Sequence, residues 1–223
     1  MPHFTILTNE DGSVAQILRD GKPHGGRVTF EPPHQIVSTY FKIARTNLDA
    51  MGTAQESDRK RHYGLQSFLM SLTGVEAFTN VFFQGLARER NNPELAKVSA
   101  EQGPLIERLR ACLALAFDEP LPEQDTLLVR IQRLYRLRND IVHPRWKPVS
   151  ISFSGIDLID MCQNFQATFE DQNFCEEAFW WCVALVARVG TASGNGAIEA
   201  PCFYWAGIYM LTEAELSEKL GLC

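Results

Sequence analysis

The feature that most constrains this chain is an apolar stripe at helical spacing, in which Leu65, Phe68, Leu72, Val75, Phe78 and Phe82 recur every three or four residues. Side chains at that spacing lie on one face of an α-helix, so residues 58–86 are expected to form one long helix. A helix with such a stripe is stable only when other elements cover it. The expectation is therefore a helical bundle, and the rest of the chain must supply its other members.

Upstream, residues 1–32 alternate apolar and polar positions (Phe4, Ile6; Val14, Ile17) around Asp11-Gly12, with a second turn signal at Lys22-Pro23. They read as a small β-meander ending near Phe30. After Pro32-Pro33 the period becomes helical, with Ile36, Tyr40, Ile43 and Leu48 on one face and Gly52 as a stop. Downstream of the long helix, Asn91-Asn92-Pro93 reads as a breaker, and Pro104 is suited to open a helix running to Phe117. The acidic, proline-containing stretch 118–124 reads as a loop. A helix from Thr126 carries Leu127, Ile131, Leu134 and Ile141 on one face and must stop before Pro144, because proline disfavours helical geometry in the preceding residue. Pro148 and the β-prone 149–153 form a connector, and Leu158, Cys162, Phe165, Phe169, Phe179, Val183 and Val186 sketch a long helix to Gly190. Beyond the Gly/Ser-rich 190–196, Thr212-x-x-Glu215 is a capping box for a short last helix. The resulting division is a meander over 1–32, an all-α helical bundle over 33–190 and an extension over 191–223.

With 223 residues and 45% apolar content the chain can bury one ordinary core and is short for two full-sized domains. Its net charge of -6 argues against a surface built wholesale for polyanions, so any nucleic-acid contact must be local. The cysteines Cys112, Cys162, Cys175, Cys182, Cys202 and Cys223 contain no C-x-x-C pair and read as free thiols of a reducing compartment. The longest apolar tract, 180–186, is too short to span a bilayer, and a soluble, cytoplasmic protein is expected.

The one dense basic run lies on the helix from Thr126, with Arg130, Arg133, Arg136 and Arg138, and Arg145 just beyond. Its end reads Leu137-Arg138-Asn139-Asp140-Ile141-Val142-His143-Pro144. RNA can be cut without a metal because its own 2′-hydroxyl attacks the neighbouring phosphate, given a base, an acid and a cation for the phosphorane. Histidine can play base or acid near neutral pH, and arginine stays charged and forks onto phosphate oxygens. Arg138 and His143 are five apart, roughly 140° round an ideal helix, so they converge only through the arginine's length or a distortion at Pro144. A full acid–base cycle needs a second group, which a two-fold dimer would supply.

Arg138-Asn139-x-x-x-His143 resembles the R-x4-6-H motif of the HEPN (higher eukaryotes and prokaryotes nucleotide-binding) family, including the polar residue after the arginine. The resemblance extends to the long helix, where Glu76 and Asn80 interrupt the apolar pattern, and covers about 58–190. It implies an antiparallel bundle, a homodimer with both motifs at its interface, no cofactor or metal, and cleavage of RNA to 2′,3′-cyclic phosphate and 5′-hydroxyl ends, often by a toxin or anti-phage effector. In those terms Arg138, His143 and Asn139 are the catalytic set, Glu76 and Asn80 support it, and Arg133, Arg136 and Arg145 contact RNA. Family members are often paired with a nucleotidyltransferase antitoxin; this chain carries no nucleotidyltransferase motif. The meander, the helix over 36–48 and the tail after 190 have no counterpart in a minimal HEPN domain. A non-catalytic HEPN-type module that binds RNA, a nucleotide or a protein is the alternative.

Each feature also has a plainer reading. Arg138 and His143 suit a helix C-terminal cap, and Glu76, Asn80, Gln66 and Thr73 suit a solvated stripe. Arg59-Lys60-Arg61-His62 reads as a solvated helix start, and Gly190-x-x-x-Gly194-Asn195-Gly196 as a linker lacking the lysine of a phosphate loop. The aromatics Phe179-Trp180-Trp181 and Phe203-Tyr204-Trp205 read as core or dimer interface.

Overall fold

The computed structural model describes residues 4–11, 13–26, 33–117, 125–143, 149–153, 156–161 and 166–192. The chain divides into two compact units, 1–32 and 33–223. In the first, β1 (Phe4–Thr8), β2 (Val14–Arg19) and the two-residue β3 (Lys22–Pro23) pair as an antiparallel sheet in that order. Asp11 closes the first turn by accepting hydrogen bonds from the Ser13 backbone N–H (2.9 Å) and hydroxyl (2.6 Å), which hold its carboxyl below the usual carboxylate range. The second turn is made by Asp20 and Gly21, both at positive φ (50° and 78°), the pairing a tight hairpin prefers. It therefore precedes Lys22-Pro23, which lie in the following strand. The expected end near Phe30 lies outside the described residues.

The second unit is mostly helical. Its long central helix is α2 (Ser57–Glu89), preceded by α1 (Pro33–Thr53) and followed by α3 (Pro93–Ala100), α4 (Leu105–Ala116), α5 (Thr126–Val142) and α6 (Gln172–Ala192). All five pack on α2. Phe68, Leu72, Val75, Phe78 and Phe82 are buried as the stripe requires, and Leu65 is half-buried at its edge. Neighbouring elements approach α2 closely at two of its glycines. A Cβ at Gly64 would lie 2.2 Å from the Phe169 carbonyl oxygen and 2.9 Å from Cys175 Sγ, and one at Gly74 would lie 3.1 Å from the Phe41 ring.

Three expectations need correction. Gly52 does not stop α1, which continues to Thr53 and ends where the Ala54 N–H bonds back to Ala50 and Met51. Asn91-Asn92-Pro93 breaks one helix but also starts another. Asn91 leaves α2 at φ 50°, and Asn92 accepts the Leu95 N–H at 3.0 Å to cap α3, with Pro93 in the first helical position, where its missing N–H costs nothing. Of the helix sketched over 158–190 only the second half is helical, as α6; its start belongs to β5 (Ile156–Met161), which pairs with β4 (Val149–Phe153) in the β-prone connector, and Gln166–Phe169 form a 3-10 turn. The spacing of Leu158, Cys162, Phe165 and Phe169 imitates a helix, yet Asp171 is the N-terminal signal: its carboxylate accepts the N–H groups of Asn173 and Phe174, at 3.0 and 3.4 Å. The bundle is thus not purely α. The loop 118–124 and the expected helix at Thr212 lie outside the described residues. Among the described residues, no helix is long and apolar enough to cross a membrane.

Candidate active site

The site is built on the last turns of α5, and the start of that helix decides what they face. Asp125 caps α5 by accepting the Leu127 and Leu128 N–H groups at 2.9 and 3.1 Å, and Arg188 of α6 lies 3.4 Å from its other oxygen. Leu127, Leu128, Ile131 and Leu134 are buried. At about 100° per residue, Arg138 falls on that same inward face, seven residues after Ile131 and four after Leu134. Arg133 and Arg136 fall on the outward face, Asn139 falls at the flank of the inward one, and all three are exposed.

Being on the inward face, Arg138 reaches α2. Its Nη2 lies 3.8 Å from Glu76 Oε2, and its Nη1 donates to Asn139 Oδ1 at 3.1 Å. The Arg138 side chain is only 27% exposed and that of Glu76 41%, so the pair is wet on one side and contributes orientation more than stability. One turn earlier, the Tyr135 hydroxyl donates to the Leu72 carbonyl at 2.9 Å. Burial, and next the negative charge of Glu76, raise the Tyr135 hydroxyl well above the usual phenol range, so it remains a donor.

His143 is the residue at which α5 ends. Its N–H still bonds to the Asn139 carbonyl at 2.9 Å, but its φ of -122° departs from the helical value by about 60°. The rotation releases its side chain from the 140° offset that a continuing helix would impose on it relative to Arg138. The side chain is exposed. Among the described residues neither a hydrogen bond nor an ion pair joins His143 to Arg138 within one chain.

The remaining candidates separate. Glu76 joins Arg138, whereas Asn80, one turn further along α2, is half-buried and makes no hydrogen bond to the described residues. Arg145 lies outside the described residues. Arg130 is drawn into packing, its guanidinium 4.8 Å from the centre of the Trp181 ring. The basic start of α2 is compensated locally: Arg59 pairs with Glu56 at 3.0 Å, and Arg61 with Asp58 at 3.2 Å and with Glu170 through Nε at 3.0 Å. Phe179 and Trp180 are core. Phe203-Tyr204-Trp205 lie outside the described residues.

Sequence reasoning passed over Tyr135. Its signal was a phenol one residue after Leu134 on the inward side of the helix, since a hydroxyl buried there must find an acceptor. Cys112, Cys175 and Cys182 are buried, and burial pushes their thiols up, to about 11 for Cys112 and about 12 for Cys175, so none is a candidate nucleophile. The other three cysteines lie outside the described residues. No family model, no curated protein and no solved structure matches the chain.

Proposed function

We propose that this chain is a metal-independent endoribonuclease of the HEPN class, acting as a homodimer. The observation that carries the reading is the end of α5: an arginine oriented by Glu76 and Asn139, followed one turn on by an exposed histidine where the helix stops. In this reaction the substrate's 2′-oxygen attacks its own phosphorus after losing its proton to a base, and the P–O5′ bond breaks as an acid protonates O5′. The products are a 2′,3′-cyclic phosphate and a 5′-hydroxyl. Arg138 grips the phosphate and stabilises the charge of the phosphorane, Asn139 orients it, and Glu76 supports the arginine from α2. His143 serves as base or acid. One imidazole cannot accept and donate in the same step, which is why the reading requires His143 of a second copy. Arg133 and Arg136, exposed on the outward face of α5, and Arg145 serve as further contacts to RNA, and a nucleotidyltransferase-type partner would restrain the activity.

The test is incubation of the purified protein with total tRNA and with mRNA in EDTA, beside His143→Ala, followed by mapping of the product ends. Cyclic phosphate and 5′-hydroxyl ends from wild type alone are expected, with the variant folded and equally dimeric. Wild-type cleavage by His143→Ala would remove the assignment.

A non-catalytic RNA- or nucleotide-binding module is favoured by one specific feature. Arg138 already has Glu76 and Asn139 as partners, and among the described residues neither a hydrogen bond nor an ion pair links it to His143. That reading predicts salt-dependent RNA binding without product at any protein concentration.

A further inference from the structure

The contact between α5 and α2 is narrow, because α5 rests more on α6 than on α2. Two polar rungs cross it, and they are therefore a large part of what joins these two helices directly. Tyr135 donates to the Leu72 carbonyl, and Arg138 pairs with Glu76. From one rung to the next the chain advances three residues on α5 and four on α2, which is one turn of each helix, so the rungs stack along a single line. The helices run in the same direction there.

The first rung bears directly on the second. In an α-helix the Leu72 carbonyl accepts the N–H of the residue four further on, and that residue is Glu76. A carbonyl oxygen has two lone pairs and can serve both donors. The tyrosine thus grips the same turn of α2 that presents the Glu76 carboxylate. A slip of one residue between the helices, about 1.5 Å along the axis and 100° around it, would carry Glu76 away from the guanidinium.

We infer that Tyr135 is a positioning residue of this site: its hydroxyl, bound to Leu72, sets the register of α5 on α2 and thereby holds Arg138 against Glu76. Tyr135 touches no substrate in this account and acts through Arg138. The inference rests on the proposed function only for its consequence for RNA; the register it describes is a property of the folded chain.

The experiment is nitrogen-15 NMR of the Arg138 guanidinium in the full chain, assigned by its loss in Arg138→Lys and read without RNA. Glu76→Gln gives the spectrum of the unpaired arginine. Tyr135→Phe keeps the ring and removes only the hydroxyl, so an unchanged far-ultraviolet spectrum and a urea midpoint close to wild type are expected. The Arg138 signals should nonetheless move most of the way to those of Glu76→Gln, and adding Tyr135→Phe to Glu76→Gln should move them no further. Wild-type Arg138 signals in Tyr135→Phe overturn the inference, as does an equal displacement with and without Glu76. Loss of the fold in Tyr135→Phe also overturns it, because a positioning hydroxyl leaves the packed ring in place. If the wild type cuts RNA, Tyr135→Phe should lower kcat several-fold with KM nearly unchanged. A wild-type chain that cuts no RNA overturns the functional reading, and the Arg138 spectrum still decides the role of Tyr135.

Discussion

Two glycines of α2 show how differently one methyl group acts at different sites. At Gly64 the added carbon meets the Phe169 backbone oxygen at 2.2 Å, a group that cannot swing aside, and Cys175 Sγ at 2.9 Å. Gly64→Ala should destabilise the protein by at least the ~1–3 kcal/mol of an overpacked core, seen as a lower urea midpoint. Gly85 is exposed in the same helix with nothing within 4 Å of the added carbon. Gly85→Ala should therefore stabilise by about 1 kcal/mol through helix propensity alone, and a lower midpoint there would contradict the helical assignment. The spacing of apolar residues showed that both glycines belong to the helix. It held nothing about which one a neighbouring backbone would press upon, because that backbone arrives from Phe169, far along the chain.

At the scale of an element, α5 depends on how it begins as much as on how it ends. Asp125 satisfies two otherwise unpaired N–H groups and lies 3.4 Å from Arg188. Asp125→Ala should lower stability by roughly 1–2 kcal/mol, with Asp125→Asn losing less because an asparagine still caps. Thermal unfolding of both variants measures the difference, and equal losses would assign the effect to the ion pair alone. The far end follows from sequence logic: Pro144 disfavours helical geometry in the residue before it, and the helix ends at Val142 with His143 as its cap. The hairpin of β4 and β5 was not legible in this way. A short apolar run such as Ile156–Met161 fits either period, and its pairing with Val149–Phe153 settles the matter through hydrogen bonds that no spacing reveals.

For the whole molecule, the buried ionisable groups set the response to alkali. Burial favours the neutral thiols of Cys112 and Cys175, raising them from 9.0 to about 11 and about 12, and it acts in the same sense on Cys182 and Tyr135. Above pH 9.0 the unfolded chain gives up protons that the folded chain retains, so stability is whole below that value and falls as pH rises towards 11 and 12. Urea midpoints should be flat at neutral pH and decline through this window, and Cys112→Ala with Cys175→Ala should make the decline shallower. An unchanged slope in the double variant would place the alkaline lability elsewhere. What the sequence determined by itself is whatever depends on neighbours within a few turns: the long α2, the start of α5 near Thr126 and its proline-limited end, and the placing of His143 at that end. Helical periodicity and capping are local, so residue order suffices to state them. Only the tertiary structure decided that Arg138 turns inward to Glu76, that Tyr135 grips Leu72, and that Gly64 lies under Phe169. Each of these joins residues more than sixty positions apart, and such contacts are set by the register of one packed element on another, which no local period encodes.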